Sequence, residues 1–391
     1  MVTSTGMSSL SPQVSGRERG VHRWPALAVV VVGLVVLAAV SAGIAHMSGS
    51  HGAVGTPAGS AAGGNADGVA GATSGAAAPV AARVPARCGS GTCFVAVSVA
   101  TLWVKPTYRR AVDWPARANP ADPRKWVAAL TVRQKLWLVG KLESQALYGT
   151  RVTVIGHHGT EWTKVAVPSQ PTNRDSRGYP GWVPTRQLTG TAPARAAKSA
   201  VIRSPTAWLW SSWTSAGVAG THVMRVSYDT RLPVVRATSA YVVVSLIGGR
   251  QVAVRRSAVM LHTRGTVWGV TRAKVVAEAR KFVGLQYLWA GTSGFGYDCS
   301  GFTYSVYHAY GRTLSRDADR QAAHGTAVGR ASLLRGDLVF FRDSPSGPIG
   351  HVGMYVGNGK MIDSPQTGVA IRVEPVSSYP YYAGARRYLS R

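Results

Sequence analysis

The chain has 391 residues, 46% of them apolar, and a formal charge of +28 at neutral pH. It is too long for one typical domain and suits two or three, with apolar content enough for a real core. The charge implies a polyanionic partner. Nucleic acid is set aside, because no helix-turn-helix, zinc-finger or RNA-binding signature interleaves with the basic residues.

The first segment bears on which polyanion is met. Arg17, Arg19 and Arg23 precede an uncharged apolar run, residues 25–45, long enough at about 1.5 Å per residue to cross a hydrocarbon core of roughly 30 Å. With residues 1–24 and their basic flank held inside, residues 46–391 are exported. The run exceeds the ~7–15 apolar residues of a secretory signal, which favours a single-pass anchor with the chain on the extracytoplasmic face of the membrane. Small residues at Ala42 and Ala45 leave cleavage and secretion as the alternative. Outside the cell, the carboxylates and phosphates of a bacterial wall fit the charge. Residues 83–204 hold 19 Lys and Arg against 5 Asp and Glu, and residues 269–391 hold 15 against 8.

Residues 46–87 are mostly Gly, Ala, Ser and Pro, too poor in large side chains to offset ordering entropy, and read as a flexible spacer. Beyond them Cys88 and Cys93 lie in a Gly/Ser/Thr loop and can close a small disulfide outside the cell, which leaves Cys299 unpaired. From about Phe94 the texture is of short β runs. Arg151-Val152-Thr153-Val154-Ile155, a Gly156-His157-His158-Gly159 turn and Trp162-Thr163-Lys164-Val165-Ala166-Val167 predict a hairpin, and Gly181-Trp182-Val183-Pro184 adds a strand. Small barrels are built this way. His157 and His158 are assigned no role. A second, weaker set follows in Ala207-Trp208-Leu209-Trp210, Leu232-Pro233-Val234-Val235, Tyr241-Val242-Val243-Val244-Ser245-Leu246 and Arg250-Gln251-Val252-Ala253-Val254.

The C-terminal part opens with a helix capped by Thr271, with Val275, Val276, Ala279 and Phe282 on one face. A second helix begins at Asp298-Cys299-Ser300-Gly301 and shows Phe302, Val306, Ala309 and Tyr310 on one side. Strands follow at Asp337-Leu338-Val339-Phe340-Phe341, His351-Val352-Gly353-Met354-Tyr355-Val356 and Lys360-Met361-Ile362-Asp363. Helices first and antiparallel strands later give an α+β class.

A thiol is a useful nucleophile when a helix N-terminus or an imidazole stabilises its thiolate. Asp298 suits the N-cap, which places Cys299 in the first turn, where aligned amides favour negative charge. His351 is the candidate base, 52 residues downstream, and Asp363 the candidate orienter, twelve further on. Strand parity constrains this trio. A two-residue Asn358-Gly359 turn sets 363 opposite 354 and puts Asp363 on the face away from His351. A three-residue loop, Gly357-Asn358-Gly359, sets 363 opposite 353, leaves the pair as diagonal neighbours and sends Val352, Met354, Val356 and Ile362 to the core together. The catalytic reading therefore requires this bulged three-residue turn, and a two-residue turn counts against it. Taken singly, each residue has a plainer explanation as a buried apolar cysteine, a structural histidine or a solvated aspartate; their conjunction carries the argument.

Tyr287-Leu288-Trp289-Ala290-Gly291, Asp298-Cys299-Ser300-Gly301, Arg335-Gly336-Asp337-Leu338-Val339-Phe340-Phe341 and His351-Val352-Gly353-Met354-Tyr355-Val356-Gly357 together resemble the NlpC/P60 family of papain-like cysteine peptidases of bacterial cell walls. The preceding β units resemble bacterial SH3 domains, the first through Ala146-Leu147-Tyr148-Gly149, its hairpin and Tyr179-Pro180-Gly181-Trp182-Val183-Pro184, the second through order and spacing. Two such units ahead of the peptidase resemble the γ-D-glutamyl-L-diamino acid endopeptidases that trim murein stem peptides.

The resemblance implies Cys299 as nucleophile, His351 as base and Tyr287 as the tyrosine lining the oxyanion site. Asp298 and Ser300 are then holders of the substrate's free amino end. The third catalytic position is commonly His, with Asn or Gln in some relatives, and is Asp363 here; the usual Gly-Gly after the tryptophan is Ala290-Gly291.

The expected organisation is residues 1–24 cytoplasmic, 25–45 anchor or signal, 46–87 linker, 88–200 and 201–268 SH3-like barrels, and 269–391 the peptidase. The expected function is hydrolysis of the γ-D-glutamyl–diamino acid amide in peptidoglycan stem peptides or intact murein, without metal or cofactor. The basic β units would hold the anionic wall. Two other readings fit parts of the sequence: an inactive or autoinhibited wall-binding protein, and an amidase or acyltransferase on a similar thiol fold.

Overall fold

The computed structural model describes residues 88–389, so the apolar run at 25–45 and the spacer at 46–87 lie outside the described residues. Among the described residues no helix is long and apolar enough to cross a membrane. The first unit is a seven-stranded sheet of β1 (Thr92–Val95), β2 (Val99–Trp103), β3 (Leu142–Leu147), β4 (Arg151–His158), β5 (Trp162–Val167), β6 (Tyr179–Pro184) and β7 (Leu188–Thr189). Their spatial order is β3-β2-β6-β5-β4-β1-β7, with Val95, Leu102, Val152, Val165 and Val183 buried between the strands. A Cys88–Cys93 disulfide, with Cα atoms 5.7 Å apart, ties down the start of the sheet.

Two features depart from the sequence reading. The residues 156–159 expected as a turn are mostly strand: β4 runs through His157 and His158, which pair with Thr163 and Trp162 beyond a register shift at Val154–Gly156. The extra residue is Ile155, so Gly156 stays paired with Lys164, and the reversal falls at Gly159, whose φ of 56° is the left-handed conformation glycine adopts freely. The second departure is a helical insertion between β2 and β3 where only β runs were expected: α1 (Trp114–Arg117), α2 (Pro123–Ala129) and α3 (Val132–Trp137). Asp122 caps α2 through the Lys125 amide with Pro123 at its first turn, and Thr131 with Gln134 closes a capping box on α3. The insertion buries Trp126 and Leu138 against Trp103 and Trp162, each worth about 1.5–3 kcal/mol of transfer free energy for a large apolar side chain.

The second unit contains β8 (Lys198–Ile202), β9 (Thr206–Thr214), β10 (Gly217–Ser227), β11 (Arg231–Ala237), β12 (Tyr241–Ser245), β13 (Gln251–Arg255) and β14 (Val259–Thr263). Their order, β10-β9-β13-β12-β11-β8-β14, repeats that of the first sheet position for position. β9 and β10 form one long ribbon where the first unit has its helices.

In the C-terminal unit α4 (Arg272–Arg280) and α5 (Cys299–His308) pack on an antiparallel sheet of β17 (Thr326–Val328), β18 (Leu338–Arg342), β19 (Ile349–Gly357), β20 (Lys360–Asp363), β21 (Arg372–Pro375) and β22 (Tyr382–Arg387). A short hairpin, β15 (Thr292–Ser293) and β16 (Gly296–Tyr297), leads into α5, and α6 (Ala318–Ala323) follows it. Val275, Ala279, Phe282, Phe302 and Val306 of the helical layer bury against Phe340, Val352, Met354 and Ile362. The hairpin β15–β16 meets the second unit at Gly294, whose amide donates to Ser227 Oγ at 2.9 Å. A Cβ there would lie 1.8 Å from the Pro205 carbonyl oxygen, backbone that cannot step aside. Gly294→Ala is expected to lower stability by about 2–3 kcal/mol, read from the urea midpoint, as overpacking at a rigid contact does; an unchanged midpoint would contradict this account of the junction.

Candidate active site

The site forms where α5 begins. Asp298 has extended backbone and its Oδ1 accepts from the Gly301 amide at 2.6 Å, the N-cap bond that starts the helix at Cys299. Cys299 is the one free cysteine among the described residues. Its thiol lies 3.9 Å from the Gly350 carbonyl, at the lip of β19.

His351 follows on that strand, and its Nε2 meets Asp363 Oδ2 at 2.8 Å. The register is the one the parity argument required: Met354 pairs with Ile362, so 363 stands opposite 353. The expected three-residue loop does not form: the turn is the two-residue one expected to count against the trio, and the register is rescued one residue earlier along β19. Asn358 and Gly359, at φ of 53° and 68°, form a two-residue turn between paired Gly357 and Lys360, and the extra residue is a bulge at Val356. Gly353 makes the approach possible, since a Cβ there would sit 3.3 Å from Asp363 Cβ and 2.6 Å from Met361 Sδ.

The electrostatics follow from this packing. Burial alone would lower the basicity of His351, but its hydrogen bonds to Asp363 and Cys299, and their charges, push it up to about 9. Through Nε2 the ring is held by the acid, which leaves Nδ1 for the thiol. Tyr287 is buried, and burial together with the charges of Cys299 and Asp298 raises its phenol well above the ordinary value. Its hydroxyl therefore keeps its proton across the working pH range.

Asp298 and Ser300 come together as expected, but their polar atoms are already engaged. Arg316, 1% exposed, donates to Asp298 Oδ2 at 2.6 Å, to Oδ1 at 3.2 Å and to Ser300 Oγ at 3.0 Å, and reaches Ser144 Oγ of β3 at 2.9 Å. Oδ2 receives only that one bond, so it can accept one more donor. Ala290 has φ of 61°, the left-handed conformation that glycine would adopt without strain at this position.

Sequence reading missed three participants. Arg316 lies between elements and has no local signal. Tyr379 stacks on His351 with ring centroids 4.4 Å apart and planes at 11°, and donates to Asp363 Oδ2 at 2.9 Å. Position 353 was expected opposite Asp363, but the need for a glycine there, which Met361 Sδ and Asp363 Cβ impose, was not read. Among the described residues no cluster of His, Cys, Asp and Glu is arranged to hold a metal ion.

A lone thiol at a helix start, facing an imidazole that a buried acid holds in place, defines a cysteine peptidase. The NlpC/P60 family matches residues 284–387. The γ-D-glutamyl-L-lysine dipeptidyl-peptidase of Bacillus cereus (strain ATCC 10987 / NRS 248) is 39% identical over 306 residues, covering 76% of this chain and 90% of the relative. The protein of the same description from Bacillus subtilis (strain 168) is 36% identical, covering 71% and 92%. The crystal structure of an NlpC/P60 family protein from Bacillus cereus ATCC 10987 superposes with a TM-score of 0.70 at 38% identity, over 76% of this chain and 100% of that one. The chain belongs to the NlpC/P60 family, and its likeness to these relatives extends well beyond the family segment into the β units.

Because His351 is raised from 6.5 to about 9, its interaction with Asp363 stabilises the fold fully below about pH 6.5 and is lost as pH rises through about 9. Asp363→Asn is expected to flatten this decline. Urea unfolding at about pH 6, 8 and 9.5 measures it; an equal slope in both proteins would show that the pair does not carry the shift.

Proposed function

We propose that this peptidase hydrolyses the amide joining the side-chain carboxyl of D-glutamate to the diamino acid of peptidoglycan stem peptides, in wall turnover or remodelling. The observation that carries the reading is the Cys299–His351–Asp363 arrangement, together with relatives named for cleavage at γ-D-glutamyl-L-lysine over most of this chain. Cys299 attacks the carbonyl carbon as thiolate while His351 holds the proton. The oxyanion is met by the Cys299 amide, one of the unpaired donors of the first helical turn, and by the Tyr287 hydroxyl. His351 then gives its proton to the leaving amine, and the thioester is released by a water that His351 deprotonates. Asp363 orients the ring and stabilises its cation.

The free lone pair of Asp298 Oδ2 suits the ammonium of a stem peptide whose first residue is free, with Ser300 beside it. Ser144 and Trp289, which donates to the Leu142 carbonyl at 3.2 Å, bring β3 against this end of the site. Released stem peptides fit such a closed end better than intact murein.

The rest of the organisation belongs to the same proposal. The identical strand order of the two β units supports reading residues 88–200 and 201–268 as SH3-like modules that hold the anionic wall. Residues 25–45 anchor the chain, so that residues 269–391 work on the extracytoplasmic face.

The test is Cys299→Ala on a stem tripeptide with a free amino end, with products read by mass spectrometry. The expected loss is at least about 10³-fold in kcat/KM, as for removal of a nucleophile; cleavage at the wild-type rate would end the mechanism. A second measurement concerns pH. The alkaline limb of kcat/KM is expected near pH 9, following His351, and to move to lower pH in Asp363→Asn, because loss of the acid's charge makes the imidazolium easier to deprotonate. A limb that does not move would remove Asp363 from the catalytic set.

A further inference from the structure

Residues 343–348 join β18 to β19 and end two positions before Gly350, whose carbonyl lies 3.9 Å from the Cys299 thiol. This loop is held by its own backbone. The Asp343 amide donates to the Pro348 carbonyl at 3.1 Å, the Gly347 amide to the Ser344 carbonyl at 3.1 Å, and Arg342 Nη1 to the Gly347 carbonyl at 2.9 Å. Pro345 and Pro348 stiffen it further, because the proline ring fixes φ. None of these bonds uses the Asp343 carboxylate.

That carboxylate lies on the lip of the cleft. A Cβ on Gly350 would fall 1.7 Å from Asp343 Oδ1 and 2.6 Å from Oδ2, so the group rests over the residue next to His351, in space that the glycine leaves open. Burial raises the pKa of the carboxyl, and the nearby charge of His351 opposes the rise. Cations are plentiful on a chain with 44 Lys and Arg against 16 Asp and Glu, and other acids have taken theirs: Asp337 holds Arg387, Glu278 holds Arg203 and Glu374 holds Arg372. Among the described residues none pairs with the Asp343 carboxylate by hydrogen bond or ion pair, and it stays exposed beside the reacting groups.

The proposed reaction says which part of the substrate passes there. His351 protonates the leaving nitrogen, so the residue that leaves lies on the His351 side of the thiol, beside Gly350. The amino end of the substrate lies away from it, at Asp298, with Arg316 and β3 behind. The glutamyl residue between them brings a carboxylate, which an acid repels. One cation of the substrate is left, the second ammonium of the diamino acid. We propose that Asp343 is a specificity-determining residue that takes this side-chain ammonium on the leaving side of the scissile amide. The assignment rests on the proposed reaction and adds to it the group that tells a diamino acid from an apolar residue of equal length. The pair is partly open to solvent, so its effect is moderate and falls with added salt.

The experiment compares kcat/KM of the full chain for L-alanyl-γ-D-glutamyl-L-lysine and for the same tripeptide ending in L-norleucine, which keeps the hydrocarbon chain and lacks the ammonium. The wild-type chain is expected to prefer lysine by at least about fivefold, or ~1 kcal/mol, and Asp343→Asn to lose most of that preference. Asp343→Lys should invert it and favour a tripeptide ending in L-2-aminoadipate, whose side chain carries a carboxylate. A preference that follows the sign of both charges cannot come from a mere disturbance of the loop. Equal values for the lysine and norleucine peptides in the wild type, or a lysine preference that survives in Asp343→Asn, would overturn the assignment. Cleavage of neither peptide by the wild-type chain would end the reading of the reaction and this assignment with it, so the two failures are told apart.

Discussion

The arrangement at the site depends on one buried cation. Arg316 forks Asp298 and Ser300 at the start of α5 and reaches Ser144 on β3, so the same guanidinium that neutralises the N-cap joins the thiol's helix to the first β unit. Removing one partner of a buried pair typically costs about 3–5 kcal/mol, because the other charge stays buried and unpaired. The cap, the helix start and the seating of the first unit are therefore coupled. Burial would weaken the charge on Arg316, but Asp298 more than restores it.

The second constraint is a matter of parity. Side chains alternate along a strand, so one residue more or less in the β19–β20 hairpin decides whether Asp363 reaches His351 at all. The bulge at Val356 supplies that residue, and the absence of a side chain on Gly353 supplies the room. The same shift sends Val352, Met354, Val356 and Ile362 into the core against the helices. Core packing and the Asp363–His351 contact thus depend on one register, and a slip would break both. Tyr379 closes the other side of the imidazole, so the ring is held by an acid at one nitrogen and by a stacked phenol on its face.

The two β units show how far local pattern reaches. Strands such as Trp162–Val167 and Tyr241–Ser245 were legible from alternation and β-branched content, and they lie where expected. The helices inserted at 114–137 were missed although Asp122-Pro123 and Thr131 with Gln134 are readable start signals; each helix is so short that its apolar period hardly shows. The His157–His158 turn was misplaced because a bulge carried the strand past a glycine, and a bulge has no reliable sequence mark.

By itself the sequence determined the α+β class, the helix that begins at Cys299, the candidate trio and the condition that 363 stand opposite 353 for the trio to form. These follow from capping, periodicity and alternation, which act over a few residues. Tertiary structure decided that this register comes from a two-residue turn with a bulge at Val356, and that Arg316 and Tyr379 join the site from distant positions. Such contacts are set by how sheets and helices stack, and no spacing along the chain encodes them.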